Sequence, residues 1–580
     1  MATAMLLVPP YSGTTSSSSA SFSGCPVRGR PRAPRVTTSI RSSSENGDVR
    51  GTKVDRRNVL LGLGGLYGAT SLGGNQSAMG VPLDYPDLQA CHVANYPDTF
   101  GGNSPIECCP PYDLSKPIDI QPYVFPTNVP TRTRKAAHLL TQWEKDRFKR
   151  AIADMKNLPS NHPWNFMQQA RIHCAYCNAA YDQKNSNSPV QVHFSWIFLP
   201  WHRYYLYFFE RILGKIISDD TFGLPFWCYD VRDGMMFPDM YLDPNSSLYN
   251  RNRNRSHFPL PMDLLYALDK EDLPPSGTVV EDNIEYLRRI FTDSAPIPEL
   301  FMGSALRAGD IPNATLMAGM LENLHNAVHY WIGQVEPPNL DMGNFFSAAR
   351  DTLFYAHHVN IDRLWSTYRS VIGNRTEFND NDWLDARFVF FDENEKVVSV
   401  TTRQCLNQKD LGYVYQNVPV EYLSSPQPVT PRPTSPQSSF PVSEFGPTPR
   451  PLSGTIRAVV RRPRTSPSPS DKRRKAEVLF VDDIELNDPA ASRFDVYVNR
   501  LSQGSYVAGL GTFAGSFVRI RHNHTNRDGS HTRMRQKFGI TSLLEEIGAE
   551  ADENVVITLV PREGNLSIGG VHIELMQTIN

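Results

Sequence analysis

The chain has 580 residues, of which 40% are hydrophobic and 20% charged, and its formal net charge is −2. This length exceeds one typical domain, so we expect a large central domain and at least one smaller one. The balanced charge argues against a nucleic-acid-binding protein, and no apolar run is long enough to cross a bilayer. We therefore expect no nucleic-acid partner and no stable membrane insertion.

The first residues have the composition of targeting signals. Residues 1–44 contain no Asp or Glu but several arginines among many Ser and Thr, which is typical of an organelle transit peptide. Two arginines at 56–57 precede an apolar run at 59–72 and small residues at 77–78, as in a twin-arginine signal. We expect import into the plastid, then passage into the thylakoid lumen by the twin-arginine translocation machinery, with removal of residues 1–78. The alternative is a disordered basic arm followed by a short buried helix.

Helical patterning dominates the middle of the chain. A Pro-rich arm from residue 79 to about 135 comes first. Apolar residues then recur at spacings of three and four, the period of an amphipathic helix. The stretches with this period are residues 134–156, 201–217, 283–291, 316–332 and 344–370. The expected fold class for residues 79–423 is therefore mainly α, a helical bundle with long Pro-rich loops that often shape a site.

The pattern changes near residue 423. Residues 424–475 are dense in Pro, Ser and Arg, a composition that cannot bury enough apolar surface to fold alone. We expect an exposed linker that is open to a processing protease. In residues 476–580, β-branched residues alternate or cluster, which predicts a small all-β domain. The predicted strands are 476–486, 493–499, 516–520, 554–560 and 571–575.

Two histidines four residues apart form the strongest local feature. On a helix, His325 and His329 project from one face and can bind one metal ion, although such a pair alone is weak evidence. A third imidazole is offered downstream by His357 or His358, on another predicted helix. Three imidazoles without a carboxylate or thiolate suit copper well, and zinc accepts them too.

A second trio lies upstream. His173 ends a predicted helix, His193 lies on a loop, and His202 opens an aromatic-rich helix. Taken singly, His193 or His202 is more simply a hydrogen-bonded core residue. However, six of the fifteen histidines of the chain fall into two trios that are embedded in Phe, Trp and Tyr.

These two regions resemble the copper A and copper B signatures of the tyrosinase and polyphenol oxidase family, in particular the plant enzymes. Further matching motifs are Cys108-Cys109-Pro110-Pro111, Asp382-Trp383-Leu384, Gly412-Tyr413-Val414-Tyr415 and Phe494-Asp495-Val496. The resemblance implies a catechol oxidase that uses O2 as co-substrate and converts o-diphenols to o-quinones at two copper ions. It assigns His173, His193 and His202 to copper A, and His325, His329 and His358 to copper B.

The resemblance also implies roles for other residues. It predicts a thioether between Cys177 and the ring of His193, where Cys177 would otherwise be a small buried hydrophobe or half of a disulfide. Phe345 matches the aromatic residue that stacks over copper A, and is otherwise an ordinary core residue. Asn326 and Tyr330 match positions linked to substrate preference, and are otherwise on a helix surface.

The cysteines fit an oxidising compartment. The family pattern pairs Cys91 with Cys109 and Cys108 with Cys174. It leaves Cys228 and Cys405 as buried thiols, and Cys25 lies in the presequence. Disulfides are consistent with the thylakoid lumen.

The sequence departs from the plant pattern in two places. Many members carry Glu four residues before the first copper B histidine, with Pro directly before it, and that Glu positions a water able to deprotonate phenols. Here Glu322 is three residues before His325, and Leu324 replaces the Pro. This turns the carboxylate by about 100° around a helix, so we expect its water-holding role to be lost. Thr352 stands where Pro is usual, and Thr can also begin a helix.

In relatives the C-terminal domain covers the copper site and keeps the enzyme latent until the linker is cut. We expect the same here, with a folding or copper-loading role as the alternative. Three rival functions are an oxygen carrier similar to hemocyanin, a zinc hydrolase that uses His325 and His329, and a non-catalytic interaction protein. Only the first rival explains both trios. Catechol oxidation is the expected activity because o-diphenols coordinate without a separate base, and monophenol hydroxylation stays open.

Overall fold

The structure is a computed structural model that describes residues 80–97, 103–186, 188–266, 279–311, 316–373, 377–424, 442–487, 490–503, 506, 508–521 and 533–579. The predicted signals in residues 1–78 lie outside the described residues, as does the stretch 425–441. Within the described ranges, no helix has both the length and the apolar composition needed to cross a membrane.

Helices form the core of the described chain. They are α1 Gln142–Asn157, α2 Phe166–Cys177, α3 Phe198–Ile216, α4 Val279–Arg289, α5 Pro298–Met302, α6 Met320–Ile332, α7 Thr352–Val371, α8 Asn381–Leu384, α9 Pro469–Arg474 and α10 Thr541–Glu546. Helices α2, α3, α6 and α7 are buried on nearly all sides. Their own apolar residues therefore occur on every face and not along one face only. Histidines on these helices therefore lie in the protein interior.

The prediction of a helix from residue 134 is wrong at its N-terminal end. Helix α1 begins at Gln142, where Thr141 and Glu144 form a reciprocal capping box. The preceding residues 132–134 form a strand, and Arg134 pairs with the buried carboxylate of Glu210 at 2.8 Å. This segment is extended because it pairs with residues 413–415, and a buried ion pair fixes Arg134. Helical periodicity reveals neither contact.

Helix α7 begins at Thr352, later than the predicted start at residue 344. The Asp351 carboxylate caps the helix by accepting a hydrogen bond from the Leu353 backbone N–H. Thr352, which replaces the usual Pro, therefore starts the helix without disturbing its cap, as the sequence predicts.

Short strands brace the helical core. They are β1 Ala94–Pro97, β2 Asn103–Ile106, β3 Ile120–Pro122, β4 Arg132–Arg134, β5 Arg387–Phe391, β6 Val397–Thr401 and β7 Tyr413–Tyr415. Strand β1 pairs with β2, the order β3-β6-β5 forms a second sheet, and β4 runs parallel to β7. These sheets tie the Pro-rich arm and the segment after α8 to the helices.

Two disulfides fix the same arm. Cys91 bonds to Cys109 and Cys108 bonds to Cys174, with Cα–Cα distances of 5.9 and 5.1 Å. The second disulfide attaches the arm to α2 directly beside His173. Among the described cysteines, Cys177, Cys228 and Cys405 are buried free thiols.

A β region follows the helical core. It comprises β8 Ser443–Glu444, β9 Arg450–Pro451, β10 Ile456–Arg461, β11 Lys475–Leu486, β12 Ser492–Arg500, β13 Phe513–Arg519, β14 Arg533–Gly539, β15 Asn554–Glu563, β16 Leu566–Ile568 and β17 Gly570–Gln577. One sheet has the order β13-β12-β15-β10-β8. The other has the order β14-β11-β16-β9, with β17 paired to β11.

The predicted linker at 424–475 is too long. Strand β10 belongs to the first sheet, where it pairs with β15 and turns Ile456, Ala458 and Val460 inward. A short helix at Pro469–Arg474 is capped by Ser468. The Pro, Ser and Arg composition hides this alternation, because the buried positions are few and the partner strand lies about a hundred residues away. The β region also contains helix α10, so it is not all β.

Candidate metal centre

Two groups of buried side chains lie in the helical core. The first contains His173, Cys177, His193 and His202, and the second contains His325, His329, His357 and His358. Within each group the potential donor atoms lie within 4.8 Å of one another. Helices α2 and α3 and the loop between them supply the first group, and helices α6 and α7 supply the second. Both predicted trios are therefore brought together.

Ring nitrogens in the second group converge on a point. His358 Nε2 lies 3.0 Å from His325 Nε2 and 3.3 Å from His329 Nε2. Two imidazole nitrogens that bind one ion at about 2.0–2.1 Å in tetrahedral geometry lie about 3.3 Å apart. The three nitrogens thus have the spacing of ligands of one metal ion.

Hydrogen bonds from the opposite ring nitrogen orient several of these imidazoles. His202 Nδ1–H donates to the Phe198 carbonyl at 2.8 Å, and His329 Nδ1–H donates to the Met342 carbonyl at 2.7 Å. His325 Nδ1 lies 3.0 Å from the Asn326 side-chain oxygen. Such a bond fixes the tautomer and leaves the Nε2 lone pair free to bind a metal.

The burial of these rings keeps them neutral. Burial lowers the pKa of His202 to about 3 and of His329 to about 4, and it lowers the pKa of His173, His325 and His358 well below the usual value. In the described part of the chain, Nε2 of His173 and of His202 has no hydrogen-bond partner. A buried polar atom without a partner is costly, and a metal ion would satisfy it. The donor set of neutral imidazoles fits copper.

The two groups face each other. The rings of His202 and His358 stack with centroids 4.5 Å apart and an angle of 22° between their planes. The rings of His193 and His325 lie 5.9 Å apart. The groups therefore form one centre for two ions that lie side by side.

Aromatic rings enclose this centre. Phe345 stacks on His193 of the first group with centroids 4.1 Å apart. Phe354 stacks on His358 at 3.9 Å and meets the edge of His173 at 4.9 Å. Sequence reasoning missed Phe354, although its position four residues before His358 on α7 places it on the same helix face. These rings make the surroundings of the centre apolar.

His357 points to a different partner. Its Nδ1 lies 3.1 Å from the hydroxyl of Tyr229, and its ring stacks on His325 with centroids 5.0 Å apart. Because His358 and not His357 directs a nitrogen at His325 and His329 within 3.3 Å, the geometry supports His358 as the ligand. His357 then supports the ring of His325.

Glu322 braces the loop that carries His193. Both carboxylate oxygens accept hydrogen bonds from the Phe194 backbone N–H, at 2.8 and 3.0 Å. Burial raises the pKa of Glu322 to about 8, against the opposing effects of the Phe194 hydrogen bond and of Arg519. A carboxyl group whose two oxygens both accept from the Phe194 N–H has fewer free lone pairs for a water, so the loss of the water-holding role stays a prediction with a structural reason.

The predicted specificity residues on α6 face the β region. Asn326 donates its side-chain N–H to the Val518 carbonyl at 2.9 Å, and the Tyr330 hydroxyl donates to Glu563 at 2.9 Å. Neither lies on a free helix surface. The sequence predicts the strand that contains Val518 and Arg519, but no local pattern indicates that this strand packs against α6.

Cys177 is placed for the predicted thioether. Its sulfur belongs to the same compact group as the His193 ring, and burial raises the pKa of this thiol well above its usual value. We expect the copper-loaded protein, after full reduction of its disulfides, to keep a mass deficit of about 2 Da, because a thioether resists thiol reductants and its formation removes two hydrogens. Mass spectrometry of proteolytic fragments should find the peptides of Cys177 and His193 joined. Cys177→Ser should separate them, whereas Cys228→Ser should leave them joined, and separate peptides in the unsubstituted protein would contradict the cross-link.

Comparisons with known proteins agree with this architecture. The common central domain of tyrosinase matches residues 163–371, the polyphenol oxidase middle domain matches 377–427, and the chloroplastic polyphenol oxidase C-terminal domain matches 448–575. A chloroplastic polyphenol oxidase of Malus domestica is 40% identical over 94% of this chain and 93% of its own length. One from Vitis vinifera is 42% identical over 92% and 90%. The structure of latent apple tyrosinase, 40% identical, covers 79% of this chain and 100% of its own with a TM-score of 0.72.

Proposed function

This chain belongs to the plant polyphenol oxidases of the type 3 dicopper family, and from that premise we propose that it oxidises o-diphenols to o-quinones with O2. We assign His173, His193 and His202 to copper A, and His325, His329 and His358 to copper B. The observation that carries the proposal is the convergence of neutral, buried imidazole nitrogens from two facing groups.

The reaction needs a redox-active group that carries electrons from the o-diphenol to O2, and the set of imidazole ligands suits copper in that role. When bound, the two copper ions supply the redox chemistry, taking two electrons from each o-diphenol and passing four to O2 for every two diphenols. The released protons join the reduced oxygen as water. The protein holds two of the six imidazoles in fixed tautomers, His202 through the Phe198 carbonyl and His329 through the Met342 carbonyl. Phe345 and Phe354 exclude water, which protects the reacting species from solvent.

We propose that the full-length chain is latent. Asn323 accepts a hydrogen bond from the Val518 N–H at 3.2 Å, and Asn326 donates to the Val518 carbonyl at 2.9 Å. Two side chains on either side of His325 thus bind the backbone N–H and C=O of one residue of strand β13. The next residue, Arg519, places its guanidinium carbon 4.4 Å from the centroid of the Phe194 ring. A strand held in this position would block a phenol from the copper B side.

We also propose a cellular location for the mature chain and a domain organisation. The relatives named above are chloroplastic, and two disulfides form in the structure, which supports the plastid and, more finely, the thylakoid lumen for the mature chain. Residues 1–78 would be the removed signals and residues 79–423 the catalytic domain. With strand β8 starting at Ser443, the cleavable linker shortens to residues 425–441.

Oxygen uptake tests the proposed reaction. Copper-loaded protein freed of its β region should consume O2 with catechol, and more slowly or not at all with the matching monophenol, because Glu322 is held by the Phe194 backbone. A copper-free sample is the control. Equal rates with both substrates would make the enzyme a tyrosinase and contradict the predicted loss of the Glu322 role. No uptake by protein that holds two copper ions would favour a reversible oxygen carrier.

A further inference from the structure

A cavity of about 1010 Å³ lies between the N-terminal arm and helices α1 and α2. None of the described residues that line it belongs to the β region. Its lining residues include two phenylalanines, Phe166 and Phe346, and three basic residues, Lys156, Arg171 and Arg350. Its volume is at the upper end for small-molecule sites, which range from about 300 to 1,000 Å³. The cavity is therefore large enough for a ligand with an aromatic ring.

Positive charge in this cavity exceeds negative charge. Glu107 is the one carboxylate among the described lining residues, and it accepts a hydrogen bond from the Cys109 backbone N–H at 3.0 Å. Lys156 donates to the Ser247 carbonyl at 2.7 Å and lies 4.8 Å from the Phe166 ring centroid. An anion is thus the ligand that this lining favours.

Two of the basic side chains that line this cavity are arginines. Neither Arg171 nor Arg350 forms an ion pair with another described residue. The polar contacts of Arg171 are long, at 3.5 Å to the Cys109 carbonyl and 3.5 Å to Gln168. The Arg350 guanidinium carbon lies 5.4 Å from the Phe346 ring centroid.

The same two arginines lie close enough to repel each other. Burial lowers the pKa of Arg350, Asp341 opposes this effect, and Arg171 adds to it. An anion bound between two half-buried guanidinium groups in one cavity would offset this repulsion. Guanidinium groups also match the planar, bidentate geometry of a carboxylate.

We propose that this cavity binds an aromatic carboxylate, with its carboxylate on Arg171 and Arg350 and its ring against Phe346 and Phe166. This site is separate from the metal centre and does not rest on the proposed oxidase activity. It nevertheless adjoins three segments that carry the centre, since Arg171 precedes His173 by two residues, Phe346 follows Phe345, and Arg350 precedes the α7 cap. An occupant would connect these segments and stabilise them.

Titration calorimetry with 2-naphthoate, which is not a phenol, tests the site in the full-length, copper-loaded protein. We expect one bound molecule per chain. Arg171→Gln and Arg350→Gln should each raise its Kd by about tenfold or more, because each removes a charge-assisted hydrogen bond. The neutral analogue 2-naphthamide should bind at least about tenfold more weakly for the same reason. Arg403→Gln, which alters an exposed arginine paired with Asp385 at 2.8 Å, should leave the Kd unchanged.

Equal affinity in both substituted proteins and in the unsubstituted one would place the ligand elsewhere and overturn the proposal. So would 2-naphthamide binding as tightly as 2-naphthoate. Both variants should keep the original melting temperature, because neither arginine has an ion pair to lose within the described residues. If either unfolds, Phe346→Leu removes an aromatic wall without changing charge, and it should weaken 2-naphthoate binding.

Discussion

Cutting the folded, copper-loaded chain within residues 425–441 and separating its two parts should raise the rate of o-diphenol oxidation by about tenfold or more. The rate of the intact chain is limited by the fraction of molecules whose centre is open, so a cover that stays closed in nine molecules of ten costs about tenfold. We expect strand β13 to act as this cover, because Val518 is hydrogen-bonded to Asn323 and Asn326 of helix α6. Oxygen uptake with catechol measures the change.

The two parts must be separated after cutting, because many non-covalent contacts also hold the β region on the helical core. Glu546 pairs with Arg288 at 2.7 Å and with Arg289 at 2.9 Å, and Lys537 pairs with Glu299 at 2.7 Å. Ser542 adds hydrogen bonds to the buried carboxylate of Asp293. The ion pairs are partly exposed, so salt at about 1 M should weaken them and help the parts to separate.

A protease site inserted within residues 425–441 makes the cut specific, and the chain without that site, treated alike, is the control. Cut but unseparated protein should keep the low rate of the intact chain, because the cover is bound non-covalently. An intact chain as active as the separated core would show that the β region does not block the centre. Its role would then lie in folding or copper loading.

Local spacing predicts only part of the centre. His325 and His329 are one helical turn apart, so their common face follows from helix geometry alone. The Phe198 carbonyl that anchors His202 lies four residues earlier on the same helix and follows from the same geometry. By contrast, the Met342 carbonyl that anchors His329 comes from a loop thirteen residues later, and no spacing rule gives its position.

Contacts between distant segments account for what the sequence did not indicate. The hydrogen bonds from the Phe194 N–H to Glu322 join residues 128 positions apart, and the Asn326 contact with Val518 spans 192 positions. The sequence predicts a linker where strand β10 forms, because its partner strand β15 lies far away along the chain and no local pattern indicates the pairing. The ligand set follows from the family resemblance, whereas these tertiary contacts form only in the folded chain.

Replacing His358 should remove one copper ion from the protein, whereas replacing His357 should leave both. The Nε2 of His358 lies 3.0 and 3.3 Å from the Nε2 atoms of His325 and His329, which is ligand spacing. In the His358→Asn protein we expect one copper ion per chain and catechol oxidation reduced by more than about 100-fold, since even loss of an outer hydrogen-bond partner costs about 10–100-fold. Metal analysis gives the copper content, and oxygen uptake by the separated core gives the activity.

His357→Asn is the matched substitution, because both residues are buried neighbours on α7 and lose the same ring. This variant should keep two copper ions, since the ring that it removes contacts the Tyr229 hydroxyl and stacks on His325. Its activity should fall less, by about 10–100-fold, as expected when a ligand loses a supporting partner. The melting temperatures of both proteins separate loss of metal from loss of fold. If His357→Asn loses one copper ion and His358→Asn keeps both, the ligand assignment is reversed, and the Nε2 spacing around His358 would reflect packing of neutral rings and not a metal site.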